Sequence, residues 1–221
     1  KQFGDHSCTA MGVWEISRSW DSQLKGTGSN LNNESVGYWN LGNAAIRDAS
    51  NSYTEFSLAS GIVRANYDYK KRYFITAALR ADGSSKFQGD NKWGYFPSAA
   101  VAWDIAQESF MSNQHVLDQL KLRASFGVTG NQDIAAYSTL GMLSGASYGW
   151  GYWGYQFATP GITWEKTYQY DLGLDMSIGG FNITVDWFKK QTKDLLFQKQ
   201  VPKYNGGGTY WVNQGKLNNT G

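Results

Sequence analysis

The stretch RYFITAALRADGSSKFQGDNKWGYFPSAAVAWD, Arg72 to Asp104, decides how the rest of the chain reads. From Tyr73 the odd positions are Tyr73, Ile75, Ala77, Leu79 and Ala81, while the even ones from Thr76 are Thr76, Ala78, Arg80 and Asp82. Side chains alternate across a β-strand, so this spacing makes one apolar face and one small or charged face. After a polar loop the pattern resumes. Trp93, Tyr95, Pro97, Ala99, Val101, Trp103 and Ile105 share a face, with Gly94, Phe96, Ser98, Ala100, Ala102 and Asp104 on the other. Aromatic residues stand towards the ends of both runs. A ring with a polar handle is most stable at lipid headgroup depth, so the pair reads as two membrane-facing strands of an outer-membrane β-barrel.

Strands of the same kind flank this pair. On the N-terminal side Val63, Ala65, Tyr67 and Tyr69 face one way and Arg64, Asn66 and Asp68 the other, with only the segment around Lys70 and Lys71 left for a tight hairpin turn. On the C-terminal side a short helical turn follows Asp104. Leu120, Leu122, Ala124, Phe126 and Val128 then alternate with Lys121, Arg123, Ser125, Gly127 and Thr129. Tyr168, Tyr170, Leu172, Leu174, Met176 and Ile178 form another apolar face, and Gly179 and Gly180 turn the chain into Phe181, Ile183, Val185 and Trp187.

The connections differ in kind. Residues 83–92, 130–162 and the stretch from 193 onwards read as long polar loops, and 26–43 as a Gly-, Ser- and Asn-rich one. Val13, Trp14, Ile16 and Trp20 mark a single strand before it. The expected division is thus an irregular strand and long-loop region over 1–55, then barrel strands with long loops over 56–221. Short turns alternating with long loops are the signature of an all-β, antiparallel transmembrane barrel, its polar strand faces turned to a wet lumen.

Composition agrees. The 221 residues include 10 Trp, 14 Tyr and 26 Gly but only 3 Pro, which suits many strands and tight turns better than a helical enzyme. A mean hydropathy of -0.49 is no obstacle, because a barrel strand offers lipid only every second side chain. No run approaches the roughly 20 apolar residues of a spanning helix. A net charge of +2 with both signs dispersed gives no basic stripe for nucleic acid. The single cysteine, Cys8, excludes an intramolecular disulfide framework. The start KQFGDHSC lacks the basic and apolar regions of a signal peptide, so the chain reads as mature or as an internal piece.

Catalytic constellations are thin, and neither enzyme activity nor a cofactor is expected. His6 and His115 are the only histidines, and neither lies near a G-x-S-x-G elbow. His6 and Cys8 make an H-x-C pair, short of the four ligands a zinc site uses. Asp82 to Phe87 and Gly130 to Asp133 lack the phosphate-loop and calcium-loop spacings and read as turns. Arg80, Asp82, Arg123, Asp171, Asp175 and Asp186 fall on the lumen faces, placed for inter-strand pairing or for contact with a plug or cargo. The best ligand-contact candidates are Tyr148, Trp150, Tyr152, Trp153 and Tyr155, whose rings among glycines can stack on a sugar or peptide, or pack the loop.

RADGSSKFQGDNKWGYFPSAAVAWDIAQESFM, then LDQLKLRASFGVTGNQDI, PGITWEKTYQYDLGLDMSI and WFKKQTKDLL resemble, in order, the C-terminal barrel region of SusC/RagA-type TonB-linked receptors. The resemblance covers roughly Val63 to Leu196. It implies active import of an oligosaccharide or peptide across the outer membrane of a Gram-negative bacterium, with a SusD-like surface lipoprotein and TonB as partners and lipid around the wall. The departures are a missing plug domain and TonB box and no strand with a terminal aromatic residue. Roughly seven strands are visible against the about 22 such a barrel needs, which implies an internal fragment. Two other classes stay open: a soluble all-β binding or adhesion module, whose apolar faces would pack on a second sheet, and a barrel enzyme using His6 or His115.

Overall fold

The computed structural model describes residues 2–114, 116–145 and 152–221, with backbone alone at 36, 145, 152 and 153. The strands are β1 (Gln2–Phe3), β2 (His6–Leu31), β3 (Ala44–Tyr69), β4 (Tyr73–Ser84), β5 (Trp93–Asp104) and β6 (Leu117–Asn131). They continue as β7 (Met142–Gly145), β8 (Tyr152–Gln156), β9 (Glu165–Ile178), β10 (Phe181–Lys193), β11 (Leu196–Gln200), β12 (Thr209–Asn213) and β13 (Lys216–Thr220). Nine of them form one sheet in the order β1-β2-β3-β4-β5-β6-β9-β10-β13, antiparallel throughout and not closed on itself. The other four form a small sheet, β11-β12-β8-β7.

Three stretches expected as loops carry strands. β2 and β3, 26 residues each, stay paired from His6↔Tyr69 to Leu31↔Ala44, so the tract from Gly26 to Leu31 is strand and the region before residue 55 is regular. A ribbon wetted on both faces needs no apolar alternation, because its ladder alone satisfies the backbone. The connection between Asn131 and Glu165 holds β7 and β8. The segment after Lys193 holds β11, β12 and β13, the last pairing with β10 from Lys189↔Thr220 to Lys193↔Lys216. After Asp104 two short 3-10 turns, Ile105–Gln107 and Ser109–Met111, match the expected helical turn.

The two- and three-residue turns that join paired, successive strands of the large sheet, 4–5, 70–72 and 179–180, all lie at one of its ends. Ile178 pairs with Phe181 across Gly179 and Gly180, whose φ angles of 53° and 84° are those of a two-residue hairpin that only glycine adopts freely. The turn between β3 and β4 puts Lys70 and Lys71 at φ of 54° and 56°. Lys70 N donates to Asp5 O and Asp104 N to Arg72 O, both at 2.7 Å, which ties neighbouring turns together.

The apolar face is uncovered. Val63, Ile75, Leu79, Val101, Leu172 and Val185 are all exposed, and neither the small sheet nor any loop lies over them among the described residues. Aromatic rings border this aliphatic field at both ends. Towards the short turns, Tyr69, Tyr73 and Trp103 stack in a row with centroids 6.3 Å apart. Towards the long connections, the indoles of Trp14 and Trp93 lie across Gly61 and Gly83 of the adjacent strands, 3.2 and 3.0 Å from where a Cβ would stand.

Glu108, in the connection after β5, anchors the lower aromatic row. Its carboxylate accepts from Tyr73 Oη at 2.5 Å, Trp103 Nε1 at 3.0 Å and Arg72 Nη1 at 3.3 Å. The Tyr73 and Trp103 hydrogen bonds, and then the Arg72 charge, hold its carboxyl below the usual range. A depressed folded value means stabilisation that is present at neutral pH and lost as the pH falls through the ordinary carboxylate range to that folded value. Tyr73 and Trp103 ring exposure to a collisional quencher is therefore expected to rise on acidification. In a Glu108→Gln variant that pH dependence is expected to vanish, and its persistence would exclude Glu108 as the titrating group.

Candidate functional site

Five of the six charged candidates on the polar face collect in two groups. Arg80 and Asp82, two residues apart on β4, point the same way, and Arg80 Nε donates to both Asp82 oxygens at 2.8 and 2.7 Å. Arg80 Nη2 reaches Ser60 Oγ on β3 at 3.4 Å. Asp82 and Ser60 are buried.

The second group joins β6, β9 and β10. Arg123 Nε and Nη2 donate to Asp175 at 2.8 and 3.0 Å, and Nη2 also meets Asp186 Oδ1 at 3.0 Å. Thr184 Oγ1 adds a bond to Asp175 at 3.2 Å. Gly173, between the two aspartates, makes room for this: a Cβ there would stand 2.5 Å from Asp186 Oδ1 and 2.8 Å from Arg123 Cζ. Beside it Asp171 accepts from Ser125 Oγ and Gln169 Nε2, both at 2.9 Å. Asp175 and Asp186 thus share one guanidinium, a planar fork suited to more than one carboxylate at once, while Asp171 stands beside them on its own hydrogen bonds.

Of the aromatic candidates, Tyr148 and Trp150 lie outside the described residues. Tyr152 and Trp153 lie on β8, where only the backbone is described. Tyr155, on the same strand, has an exposed ring and donates its hydroxyl to Met142 Sδ at 2.8 Å. This loop joins the β11–β12 hairpin through the Thr209↔Gln156 pair and the Phe157 N to Thr209 O bond at 2.9 Å. His6 Nδ1 lies 2.7 Å from Tyr67 Oη on an exposed surface, and His115 is outside the described residues. No group of three His, Cys, Asp or Glu side chains could hold a metal ion among the described residues.

One feature was illegible in the sequence. Phe87, Phe96, Val128, Ile134, Ile162 and Trp164 form a buried cluster where the long connections leave the sheet. β5 and β6 stop pairing above Ser98↔Gly127, and the cluster fills the opening. Polar bonds join the loops around it: Gln88 Nε2 to Thr139 O at 2.7 Å, Thr139 Oγ1 to Lys86 O at 3.1 Å and Asn91 Nδ2 to Pro160 O at 3.2 Å.

A large sheet with an uncovered aliphatic face, a linked polar face and one end of long connections has the architecture of barrel wall. The family model for the TonB dependent receptor-like β-barrel matches residues 9–221. The chain belongs to this family. As a TonB-dependent receptor barrel it is 35% identical over its whole length to TonB-dependent receptor P3 of Formosa agariphila, of which it spans 23%. It is 36% identical, over 80% of its residues, to TonB-dependent receptor SusC of Bacteroides thetaiotaomicron, of which it spans 19%. Among solved structures it superposes on the RagAB peptide importer in the closed-closed state with a TM-score of 0.87 at 23% identity, covering all of this chain and 25% of that one. The open-open state gives 0.84, also at 23% identity, over 99% of this chain and 25% of that one. The chain therefore spans a quarter or less of these relatives, and its open sheet is a segment of a β-barrel.

Proposed function

We propose that these strands are part of the wall of an outer-membrane receptor that imports an oligosaccharide or peptide, driven through TonB and served by a SusD-like surface lipoprotein. The observation that carries this is the division of one sheet into two faces. Exposed aliphatic side chains between two aromatic rows suit lipid, while the ion pairs Arg80–Asp82 and Arg123–Asp175–Asp186 suit a wet lumen, where paired charge stays within reach of water. In this reading the short turns are periplasmic and the long connections face outwards. The connection bearing Tyr148, Trp150, Tyr152, Trp153 and Tyr155 then stands where cargo and lipoprotein arrive, and its rings supply stacking surfaces for either.

Growth tests the reading. A host lacking the full-length receptor is expected to lose growth on an oligosaccharide or peptide that the parent uses as sole source, and loss of TonB is expected to reproduce the defect. Normal uptake of that nutrient without TonB would overturn the import mechanism. A full-length protein that stays monodisperse without detergent would overturn the barrel itself and favour a soluble module.

A further inference from the structure

The outer, apolar face carries a row of lysines that the barrel does not need. Lys166 of β9 pairs directly with Lys193 of β10, and Lys193 pairs with Lys216 of β13, so three ammonium-bearing side chains stand side by side on one face. Like charges directly opposite in a sheet repel. None of the three forms an ion pair among the described residues, and Lys193 Nζ instead stands 5.1 Å from the centre of the Tyr168 ring. That contact places the row on the same face as Tyr168 and Tyr170.

Directly below lies an apolar groove of about 460 Å³. Its floor is Ala99 and Ala124, its walls are Phe126, Tyr170 and Trp187, and Lys189 stands at its edge. Depth agrees with the charge. From the short turn at Ile178 up to Lys166, a strand rising about 3.3 Å per residue at a tilt of about 40° climbs roughly 30 Å. That is just above an apolar band about 25 Å tall, at headgroup level in the leaflet nearest the long connections.

We infer that Lys166, Lys193 and Lys216, with the groove beneath them, form a docking site for a phosphate-bearing lipid of that leaflet. An acyl chain lies along the groove, and the phosphate sits on the lysine row, where it cancels the mutual repulsion. Lys189 extends its stem over the aromatic wall and lifts its ammonium towards the same phosphate. This rests on the outer-membrane reading above.

The test uses the full-length receptor, purified in detergent, stripped of lipid and titrated with monophosphoryl lipid A while binding is read by native mass spectrometry. The triple variant K166Q/K193Q/K216Q is expected to bind it tenfold to a hundredfold more weakly, on the order of the attraction three lysines give at an anionic surface. K70Q/K71Q/K190Q removes equal charge elsewhere and is expected to bind as the parent does. Dephosphorylated lipid A is expected to bind parent and lysine-row variant alike. Undiminished binding by the lysine-row variant, equal loss in the control variant, or no preference of the parent for the phosphorylated lipid would each overturn the site while leaving the barrel intact. A parent that needs no detergent would overturn the barrel and the lipid site together.

Discussion

Replacing Trp164 with alanine is expected to lower the local stability of the loop cluster by about 3–5 kcal/mol, the usual cost of deleting a buried indole. Trp164 is only 3% exposed and holds three segments together. Its ring meets Phe87 at a centroid distance of 5.3 Å and Phe96 edge-on at 5.4 Å, and its Nε1 donates to Lys92 O at 3.1 Å. Without it, Phe87, the most deeply buried side chain of the cluster, loses the neighbour that closes it from water. Hydrogen exchange on the full-length receptor is the measurement. Amides around Phe87, Ile134 and Ile162 are expected to lose protection, while the β4–β5 ladder keeps its own, because the cluster opens as a unit separate from the barrel. Trp164→Phe keeps an aromatic ring in the cluster but removes the indole hydrogen bond and part of the packed volume, so it is expected to cost less, about 1–2 kcal/mol. Unchanged protection in the alanine variant would show that the connections are held by their polar bonds alone.

The strands of the barrel wall were legible because lipid on one side and water on the other impose a period of two. Tyr73 to Ala81 and Trp93 to Trp103 show it with Phe74 and Phe96 as the only large apolar side chains on the polar face, and their register in the sheet follows it residue by residue. Arg123, Asp175 and Asp186 were legible as one polar face, but their convergence was not. It depends on β6 pairing with β9 across the intervening β7 and β8, and on Gly173 leaving a gap that no periodicity records. The strands after Lys193 were hidden for another reason. β11 and β12 are short, and Leu217 is the only apolar side chain of β13, so neither alternation nor a long apolar run marks them. The buried cluster was least visible. Phe87 and Trp164 sit in connections, Phe96 sits on the face otherwise given to small and polar residues, and only the fold brings them together.

Gly130→Ala is expected to destabilise the same corner by about 1–3 kcal/mol, the range for forcing an extra methyl into a packed site. The backbone is not the obstacle. Gly130 lies within β6, is paired with Lys166 of β9 and is not among the glycines with positive φ, so alanine fits the local conformation. The obstacle is the Phe96 ring, which lies over both Gly130 and Gly94 and would stand well inside contact distance of a Cβ at either. The ring cannot easily swing aside, because Trp164 packs against it edge-on. A double-mutant cycle isolates this contact. Phe96→Ala alone is expected to cost about 3–5 kcal/mol by leaving a cavity between β5 and β6. In that background the added methyl of Gly130→Ala enters vacated space, so its penalty is expected to fall to about 0.5 kcal/mol or less. The same hydrogen-exchange readout near Val128 measures all four corners of the cycle. Equal penalties for Gly130→Ala with and without Phe96 would refute steric coupling through this ring and leave the glycine's role to β6 itself.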